Sequence, residues 1–482
     1  MANAVTSKPR YRVRASSYRF MSGSSPLHPY DAATTGRRAL PESDAGPSSA
    51  VVNAGASLVS KSRKLVANNG AAKQIIRTLT SDIIGTGIKP QSQDPELQKL
   101  WKRWARQTRH YDVQSLATRS MLEGGDCLAR FRIRRPEDGL TVPLEIQLIE
   151  SEQLPHSKSE TWGQNRIIAG VEVGPLGPRR PEAYHILRRH PGDAGYFGLP
   201  NYADTVRVPA RDMLHLMIEE RPNQVRGVPH LTATAILLHE LHTYLDAEAV
   251  RKRVVAMIAG FIKKRPGNPD EEGVGGPVTH QDDGAAVVQW EPGTLADIGE
   301  DEIEFVQPAD VGGNFDAYIK AQYRAVAASA GVLYEHVTGE YSDMNDRLYR
   351  GAILNYRREI QRLQQLVVVA RFCQPVWERF VDTAILSGAY RVPEGVGVED
   401  LYDVAWVPQG WDYIHPVQEI DAAQKAVAAG FKSRSEVIVQ QGRDPDEVDA
   451  EQAADNERAA GFGLTYETTT AAAGGSKEGS DA

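Results

Sequence analysis

Side chains capable of chemistry concentrate in one short stretch at residues 331–350, which reads GVLYEHVTGEYSDMNDRLYR. The stretch holds one histidine and four carboxylates: Glu335, His336, Glu340, Asp343 and Asp346. Histidine beside carboxylates is the usual equipment of general acid–base catalysis and of metal sites. Their spacing matches no known metal or glycosidase pattern, although the separation of carboxyl groups depends on the three-dimensional structure. Two interpretations therefore stay open, a hydrolytic or metal centre and a polar loop with a mechanical role.

Other catalytic motifs are weak or missing from the sequence. His239 and His242 in HELH lie three residues apart, whereas the zinc metalloprotease motif places its histidines four apart on one helix face. Neither a phosphate-binding G-x-x-x-x-G-K-[ST] motif nor a G-x-S-x-G nucleophile elbow occurs. The sequence therefore favours a protein that is not an enzyme and that needs no metal or cofactor.

The composition is that of an ordinary globular protein. Of 482 residues, 41% are hydrophobic and 24% are charged, and the formal net charge is −8, which does not indicate nucleic-acid binding by the chain as a whole. Cys127 and Cys373 stand far apart, which argues against a disulfide framework or a zinc ribbon and suits a reducing cytoplasm. Because no apolar run approaches the roughly 18 residues of a membrane helix, we expect no membrane association.

Local patterns divide the first half of the chain into a helical and a β-rich region. Residues 1–50 are rich in Ser, Pro, Gly and Arg and predict a flexible arm. Helical periodicity follows over about 55–125, where Ile75, Ile76, Leu79 and Ile83 share one face before Gly85 and Gly87 end the pattern. Strands bounded by turn residues are then predicted at five places, 127–135, 144–150, 170–174, 183–190 and 212–218.

Helices dominate the second half. One is predicted for 229–264, another for 313–330, and the longest for about 345–388, with a kink at Pro375 because proline cannot donate a backbone hydrogen bond. The longest helix carries a narrow seam of residues spaced alternately four and three apart: Tyr349, Ile353, Tyr356, Ile360, Leu363, Val367 and Ala370. Such a stripe needs neighbouring helices, of this chain or of another copy, to cover it. A short β-like stretch near 403–407 follows.

The segment 265–312 interrupts the helices and has a one-sided charge. From Asp270 to Glu304 it contains eleven carboxylates and no lysine or arginine. Its glycines, prolines and short apolar runs allow two interpretations, a solvated loop or a small β-module with an acidic face. Near the carboxyl end, two or three short helices with acidic first turns are predicted, followed by a disordered tail at 466–482.

Five blocks, in order, resemble portal proteins of the lambda family of tailed bacteriophages. They are LVANNGAAKQIIRTLTSDIIGTGIKPQ, GGDCLARFRIRR, VPARDMLHLMIEERPNQVRGVPHL, ASAGVLYEHVTGEYSDMNDRLYRGAILNYRR and QEIDAAQKAVAAGFKSRSEVIVQQGRDPDEV. The third is the most specific, since a histidine-containing strand precedes R-P-x-Q-x-R-G-V-P at the start of a helix. The resemblance extends over roughly 55–460 and leaves out the arm and the tail.

The resemblance implies an α+β portal fold with long stem and wing helices, a β-rich wing, a small α/β clip and a helical crown. The parts would be an arm at 1–50, a wing at 51–228, stem helices at 229–264 and 313–330, a clip at 265–312, a tunnel loop at 331–346, a long kinked wing helix with strands at 347–416, a crown at 417–465 and a tail at 466–482.

The same resemblance implies a function and a set of partners. Portal proteins form a ring, usually of twelve subunits, at one capsid vertex of the virion, after assembly in the host cytoplasm. Double-stranded DNA passes through the ring without sequence specificity. The large subunit of terminase docks on it and supplies ATP hydrolysis, which agrees with the missing phosphate-binding motif. Major capsid, scaffold and head-completion or adaptor proteins are the other expected partners, and no membrane is involved.

Two groups of residues are the site candidates under this hypothesis. Those expected at the channel are Tyr334, Glu335, His336, Val337, Glu340, Tyr341, Asp343 and Arg347. Those expected on the acidic clip, facing the motor, are Asp270, Glu271, Glu272, Asp282, Asp283, Glu300, Asp301 and Glu302. Asn345 and Asp346 are expected to cap the longest helix, and Arg347 and Arg350 to pair with nearby carboxylates or to touch phosphate. Two rivals remain, a metal-dependent hydrolase that uses His336 and a helical scaffold without a channel.

Overall fold

The structure is a computed structural model that describes residues 45–193, 204–257, 315–342, 344–411 and 413–464, together with four strand segments between 261 and 304. Most of the predicted arm, nearly all of the acidic segment and the predicted tail lie outside the described residues. No helix in the described part is long and apolar enough to cross a membrane.

Four helices and a short strand open the fold: α1 (Pro47–Asn68), α2 (Gly70–Ile84), β1 (Lys89–Gln91), α3 (Pro95–Gln107) and α4 (His110–Gly124). The apolar face predicted for α2 is buried, and Gly85 ends this helix with a φ of 55°. The first helix already starts at Pro47, so the boundary of the arm at residue 50 is four residues too late. Proline suits the first helical position because the backbone N–H that it lacks would have no partner there anyway.

Two antiparallel sheets follow. One has the order β3 (Leu144–Glu150), β2 (Asp126–Ile133), β9 (Met213–Met217), with Leu128 opposite both Ile149 and His215. The other runs in chain order through β4 (Glu160–Trp162), β5 (Asn165–Ile168), β6 (Val171–Val173), β7 (Pro181–Leu187) and β8 (Thr205–Pro209). All five predicted strands are present. The sequence did not indicate three further strands. The three residues of β4 are all exposed, so it has no apolar pattern. In β5 and β8 the apolar pattern is too short to be recognised.

A pair of helices flanks the acidic segment: α5 (Ala235–Met257) and α6 (Phe315–Ala330). The prediction of one helix over 229–264 is wrong at both ends. Residues 229–234 form turns because the Thr232 and Thr234 hydroxyls donate to the carbonyls of Pro229 and Leu231, which competes with helix formation. At the other end, β10 (Phe261–Lys263) pairs antiparallel with β13 (Glu302–Glu304), while β11 (Val278–His280) pairs with β12 (Ala286–Val288).

After the short helix α7 (Tyr334–Thr338), the longest helical segment runs through α8 (Asp346–Leu363), a π-helical stretch (Gln364–Cys373) and α9 (Gln374–Leu386). The predicted seam is buried within this chain from Ile353 to Val367, but Ala370 is exposed. The wider π-helical winding rotates later residues away from the seam. The π-helical stretch ends at Cys373, two residues before Pro375. The kink expected at this proline therefore appears as a change of helical winding. The Gln374 N–H donates a hydrogen bond to the carbonyl of Val369.

The carboxyl-terminal region returns to the first helices. After α10 (Val398–Tyr402), strand β14 (Ala405–Val407) pairs antiparallel with β1. Three helices end the described chain, as the sequence predicted: α11 (Pro416–Ala428), α12 (Arg434–Gln440) and α13 (Pro445–Gly461). No residue of α11 or α12 is buried, so this region contributes little to the core.

An aromatic cluster joins the amino-terminal helices to the long helix. The Trp101 ring lies 4.9 Å from Trp104 and 5.2 Å from Trp377, and Phe380 meets it edge-on at 4.9 Å. All four side chains are fully buried. Aromatic pairs in these orientations add to the stabilisation that burial gives, so this cluster fixes the long helix against α3 and α4.

A buried ion pair holds the sheets to the turn that precedes α5. Arg226 and Asp126 are both completely buried, and the Arg226 guanidinium donates to both oxygens of the Asp126 carboxylate, at 2.6 and 3.1 Å. Its remaining N–H groups donate to the carbonyls of Ser151, Leu154 and Ala169. Burial alone would raise the pKa of Asp126, but Arg226 and His215 hold it well below its usual value. The charge pair is therefore fully satisfied.

The substitution Arg226→Leu should reduce the free energy of unfolding by about 3–5 kcal/mol, because it leaves the Asp126 carboxylate buried without its partner. Urea unfolding followed by circular dichroism measures this loss. The matched control Arg434→Leu breaks the half-exposed pair of Arg434 with Asp449 and should cost about 1 kcal/mol or less. Equal effects of the two substitutions would contradict the assignment.

Candidate functional site: the loop between α6 and α8

The segment 331–346 is bounded by backbone features that its sequence encodes. Gly331 and Gly339 adopt φ values of 68° and 72°, a conformation that glycine takes without strain. Between them lies the single helical turn of α7, so the segment is not entirely loop as predicted. At its end the Asn345 side chain accepts a hydrogen bond from the Leu348 N–H at 2.9 Å, which confirms Asn345 as the cap of α8.

Glu340 holds the loop to the preceding helices. Its carboxylate accepts hydrogen bonds from the Tyr334 hydroxyl at 2.6 Å and the Ser342 hydroxyl at 2.7 Å, and Lys320 of α6 lies 3.0 Å away. These partners, with Tyr334 the largest contributor, lower the pKa of Glu340 to about 2. We call these four residues the Glu340 latch. A carboxylate so engaged is ionised throughout the physiological range and has few lone pairs left for another ligand.

Two of the predicted channel residues face the protein interior. Val337 belongs to the main hydrophobic core and Glu335 is also buried. Both side chains are therefore covered by other residues of the same chain, and their place at a channel stays a prediction.

His336 packs against groups that the sequence did not bring together. Its ring meets the Tyr356 ring edge-on at 4.7 Å, and the Tyr356 hydroxyl donates to the Asp82 carboxylate at 2.5 Å. Burial lowers the pKa of His336 and raises that of Asp82. Asp82 and Tyr356 lie 274 positions apart, and only their occurrence on apolar helix faces could have hinted at the contact.

The exposed side chains of the segment are those at its outer edge. Tyr341 is 54% exposed and Arg347 is also exposed, while Asp343 lies outside the described residues. The first turns of α8 contact α11 instead of the loop. Asp346 pairs with His415 at 2.9 Å and Arg350 approaches Glu419 at 3.8 Å. The expected pairing of Arg350 with carboxylates of the loop is therefore replaced by a contact to the carboxyl-terminal helices.

The side chains of the loop do not converge as a catalytic or metal centre would. Glu340, Asp346 and His336 each engage a different partner, and His239 and His242 of HELH are exposed on α5. Among the described residues, the carboxylates and histidine close enough together to share a metal ion lie elsewhere, at Glu150, Glu152 and His190, whose ligand atoms are within 4.8 Å of one another.

That acidic cluster already has a cation. The Arg63 guanidinium lies 3.2 Å from Glu150, 3.1 Å from Glu152 and 2.9 Å from Glu123. Its positive charge would repel a metal ion at the same place. The cluster is therefore an ion-pair network that fastens α1 to α4 and to the end of β3.

The predicted clip site cannot be built from the described residues. Asp270, Glu271, Glu272, Asp282, Asp283, Glu300 and Asp301 lie outside them, and only the backbone of Glu302 is placed, in β13. Two antiparallel strand pairs, β10 with β13 and β11 with β12, lie within or next to this segment. They favour a small β-module over a solvated loop.

Comparison with known protein families decides what the chain is. The family model for phage portal proteins of the lambda family matches residues 35–364, from before α1 to the end of α8. The chain belongs to the lambda family of phage portal proteins. A probable portal protein of Halomonas phage phiHAP-1 is 26% identical over 422 residues, which cover 80% of this chain and 77% of the relative. The alignment to this portal relative is longer than the family match.

Solved structures of gene transfer agent particles are also similar to this portal-family chain. A chain of the virion of a native particle matches with a TM-score of 0.44 at 16% identity, covering 80% of this chain and 94% of that one. A chain in the neck of an empty particle computed with C6 symmetry scores 0.45, and one in the neck of a native particle computed with C12 symmetry scores 0.43.

Removing one hydroxyl tests the Glu340 latch. Tyr334→Phe deletes a donor to Glu340 and should raise the amide exchange rate of residues 339–342 by about threefold, because the loop opens more easily. Hydrogen exchange with mass spectrometry measures this rate. A pKa of about 2 means that the latch is intact above pH 4.5 and is lost as the pH falls towards 2, so the effect should persist unchanged from pH 7 to pH 5. Tyr341→Phe, at an exposed tyrosine, is the control; equal rates in both variants would refute the latch.

Proposed function

We propose that this protein forms a ring of about twelve subunits at one capsid vertex, through which double-stranded DNA is packaged by a terminase motor and later ejected. The family match over residues 35–364 carries this proposal. Within it, the ring is also the attachment point for head-completion and tail proteins, contacts capsid and scaffold proteins, and performs no catalysis of its own. The motor supplies the ATP hydrolysis.

The helix pair α5 and α6 supports a stem that projects from the body. The His230 ring lies 2.8 Å from the carbonyl oxygen of Ala330, which joins the turns before α5 to the end of α6. Farther along, the Tyr244 ring meets Tyr318 at 5.2 Å and Lys252 lies over Phe315 at 5.0 Å. The helices are therefore antiparallel. With 23 residues, α5 is about 35 Å long, and strand β10 follows it in the chain.

Exposed apolar side chains support packing between copies. Ile236 and Val250 of α5 are 75% and 45% exposed. The proposed crown leaves further large side chains in solvent, namely Val417, Ile420, Phe431 and Phe462. A ring closes through a heterologous contact, in which one face of each subunit covers a different face of the next. Burial by neighbouring copies would remove these surfaces from water.

The loop at 331–346 is proposed as the channel constriction, with Tyr341 and Arg347 as its contacts to DNA. Both are exposed, whereas the loop ends are fixed by the Glu340 latch and by the contacts of α8 with α11. A loop fixed at its ends and exposed at its edge can touch a passing duplex without unfolding. The acidic segment is proposed as the clip that meets the motor.

The net charge supports a conduit that does not retain DNA. Each copy carries −8, and carboxylates along the channel would repel phosphate instead of releasing counterions from it. At physiological salt this repulsion reaches only about 8 Å, so only side chains that line the channel contribute.

Electron microscopy of the negatively stained protein tests the ring directly. We expect annular particles with a central hole, and native mass spectrometry should give a mass of about twelve subunits. Recombinant rings with another subunit number would still support the proposal. A compact monomer or a filament without a hole would favour the helical scaffold, and hydrolytic activity lost on His336→Ala would favour the hydrolase.

Two sets of variants separate the roles of clip and loop in a packaging assay with purified terminase. Neutralising Asp270, Glu271 and Glu272 as amides should weaken terminase binding, because it removes three charges from the proposed docking face. Tyr341→Ala with Arg347→Gln should leave terminase binding intact and change the rate of DNA passage. Each set is the control for the other. Unchanged terminase binding and packaging in both sets would refute these assignments.

A further inference from the structure

Helix α3 presents a row of cations to solvent. Lys99, Lys102, Arg103 and Arg106 are exposed and are related by spacings of three and four residues, and the exposed Arg109 follows just beyond the end of the helix. Side chains with this spacing lie on one face of a helix. The four helical cations extend over about 10 Å, at a rise of 1.5 Å per residue. We call these five residues the α3 basic face.

The α3 basic face is largely unneutralised. No carboxylate occurs in the sequence between Glu96 and Asp112. Within the described part of the chain, Lys102 pairs with Glu447 of α13, whereas no side-chain hydrogen bond or ion pair joins the other four. Elsewhere exposed arginines are commonly paired, as Arg434 is with Asp449. A concentration of free cations in a chain of net charge −8 offers a local surface that attracts a partner of opposite charge.

A recess continues the α3 basic face towards α13. The cavity, of about 420 Å³, lies between α3 and the first turn of α13. Its charged lining consists of the cations Lys89, Lys102, Arg106 and Arg443 and the carboxylates Asp444 and Glu447. Glu447 is already paired with Lys102, and the Asp444 carboxylate accepts hydrogen bonds from the Gln91 amide and the Asp446 N–H. The positive charges of Lys89 and Arg106 therefore remain available at the edge of a space that can take a phosphate group.

The chemistry of this surface favours a nucleic acid over a protein. Protein interfaces depend on exposed aromatic and aliphatic side chains at their centre. The large apolar residues of α3, Leu97, Trp101 and Trp104, are instead buried in the core. Contacts to a nucleic-acid backbone need little more than lysine and arginine at regular intervals.

We propose that the α3 basic face binds the phosphate backbone of duplex DNA without sequence specificity, at a surface separate from the channel. The proposal goes beyond the conduit function and does not depend on it. The channel side chains are proposed to let DNA slide, whereas this surface would hold it. Each phosphate contact should contribute about 0.9 to the slope of log affinity against log salt concentration.

The test compares two triple variants of equal charge in a binding assay with a fluorescein-labelled duplex. Lys99→Gln, Arg103→Gln and Arg106→Gln should lower the affinity about tenfold or more at low salt and reduce the salt slope by about 2–3. The control, Lys61→Gln, Lys64→Gln and Lys73→Gln, removes three exposed lysines from α1 and α2 and should bind like the wild type. Equal losses in both triples, or none in the α3 triple, would overturn the proposal.

Two further arms exclude threading and misfolding. A covalently closed circular plasmid cannot pass through a closed ring, so it should still compete for the labelled duplex; failure to compete would assign binding to the channel and overturn the proposal. A third triple variant, Lys99→Arg, Arg103→Lys and Arg106→Lys, exchanges the cations and keeps the charge, so it should still bind the duplex. Loss of binding in this variant would count against a purely electrostatic surface. A labelled polyglutamate peptide that bound more tightly than DNA would replace DNA by an acidic protein partner.

Discussion

The fold of this portal-family protein depends on one buried ion pair. Arg226 and Asp126 have no access to water, so every polar atom of both side chains needs a partner inside the protein. The partners come from three places at once, the start of β2, the end of β3 with the turn after it, and the turn at Ala169 between the short strands. If any of these moved away, a charge would be left unpaired in the interior. The pair therefore links both sheets to the turn that precedes α5.

The glycines beside this pair serve the same contact. A Cβ on Gly227 would lie 1.9 Å from the carbonyl oxygen of Gly125, so the two backbones meet at a distance that only glycine permits. The Gly227 N–H donates to Asp126 at 3.1 Å. The Gln224 side chain completes the turn by bonding the N–H groups of Glu220 and Arg221. The motif R-P-x-Q-x-R-G-V-P thus encodes the geometry of a buried charge.

The loop at 331–346 and the α3 basic face differ in whether their charges are neutralised by neighbours in the same chain. In the loop, Glu340 is neutralised by neighbours of the same chain, which leaves an exposed edge of one tyrosine and one arginine. On α3 the cations lack such neighbours, and attraction to phosphate is not offset by carboxylates. Under the two proposals, a chain of net negative charge would let DNA pass at one surface and retain it at another, since only charges within about 8 Å of the phosphates act on them.

The sequence by itself determined most elements and the family, because periodicity, glycine stops and the order of five motif blocks are local properties. It placed the buried face of α2, the five predicted strands, the seam from Ile353 to Val367 and the Asn345 cap. Only the tertiary structure decided which side chains of the loop are available. Glu335 and Val337 turn inward, and Glu340 is occupied by Lys320 from the preceding helix. Burial and ion pairing depend on residues distant in sequence, as with Asp82 and Tyr356, and no local pattern contains that information.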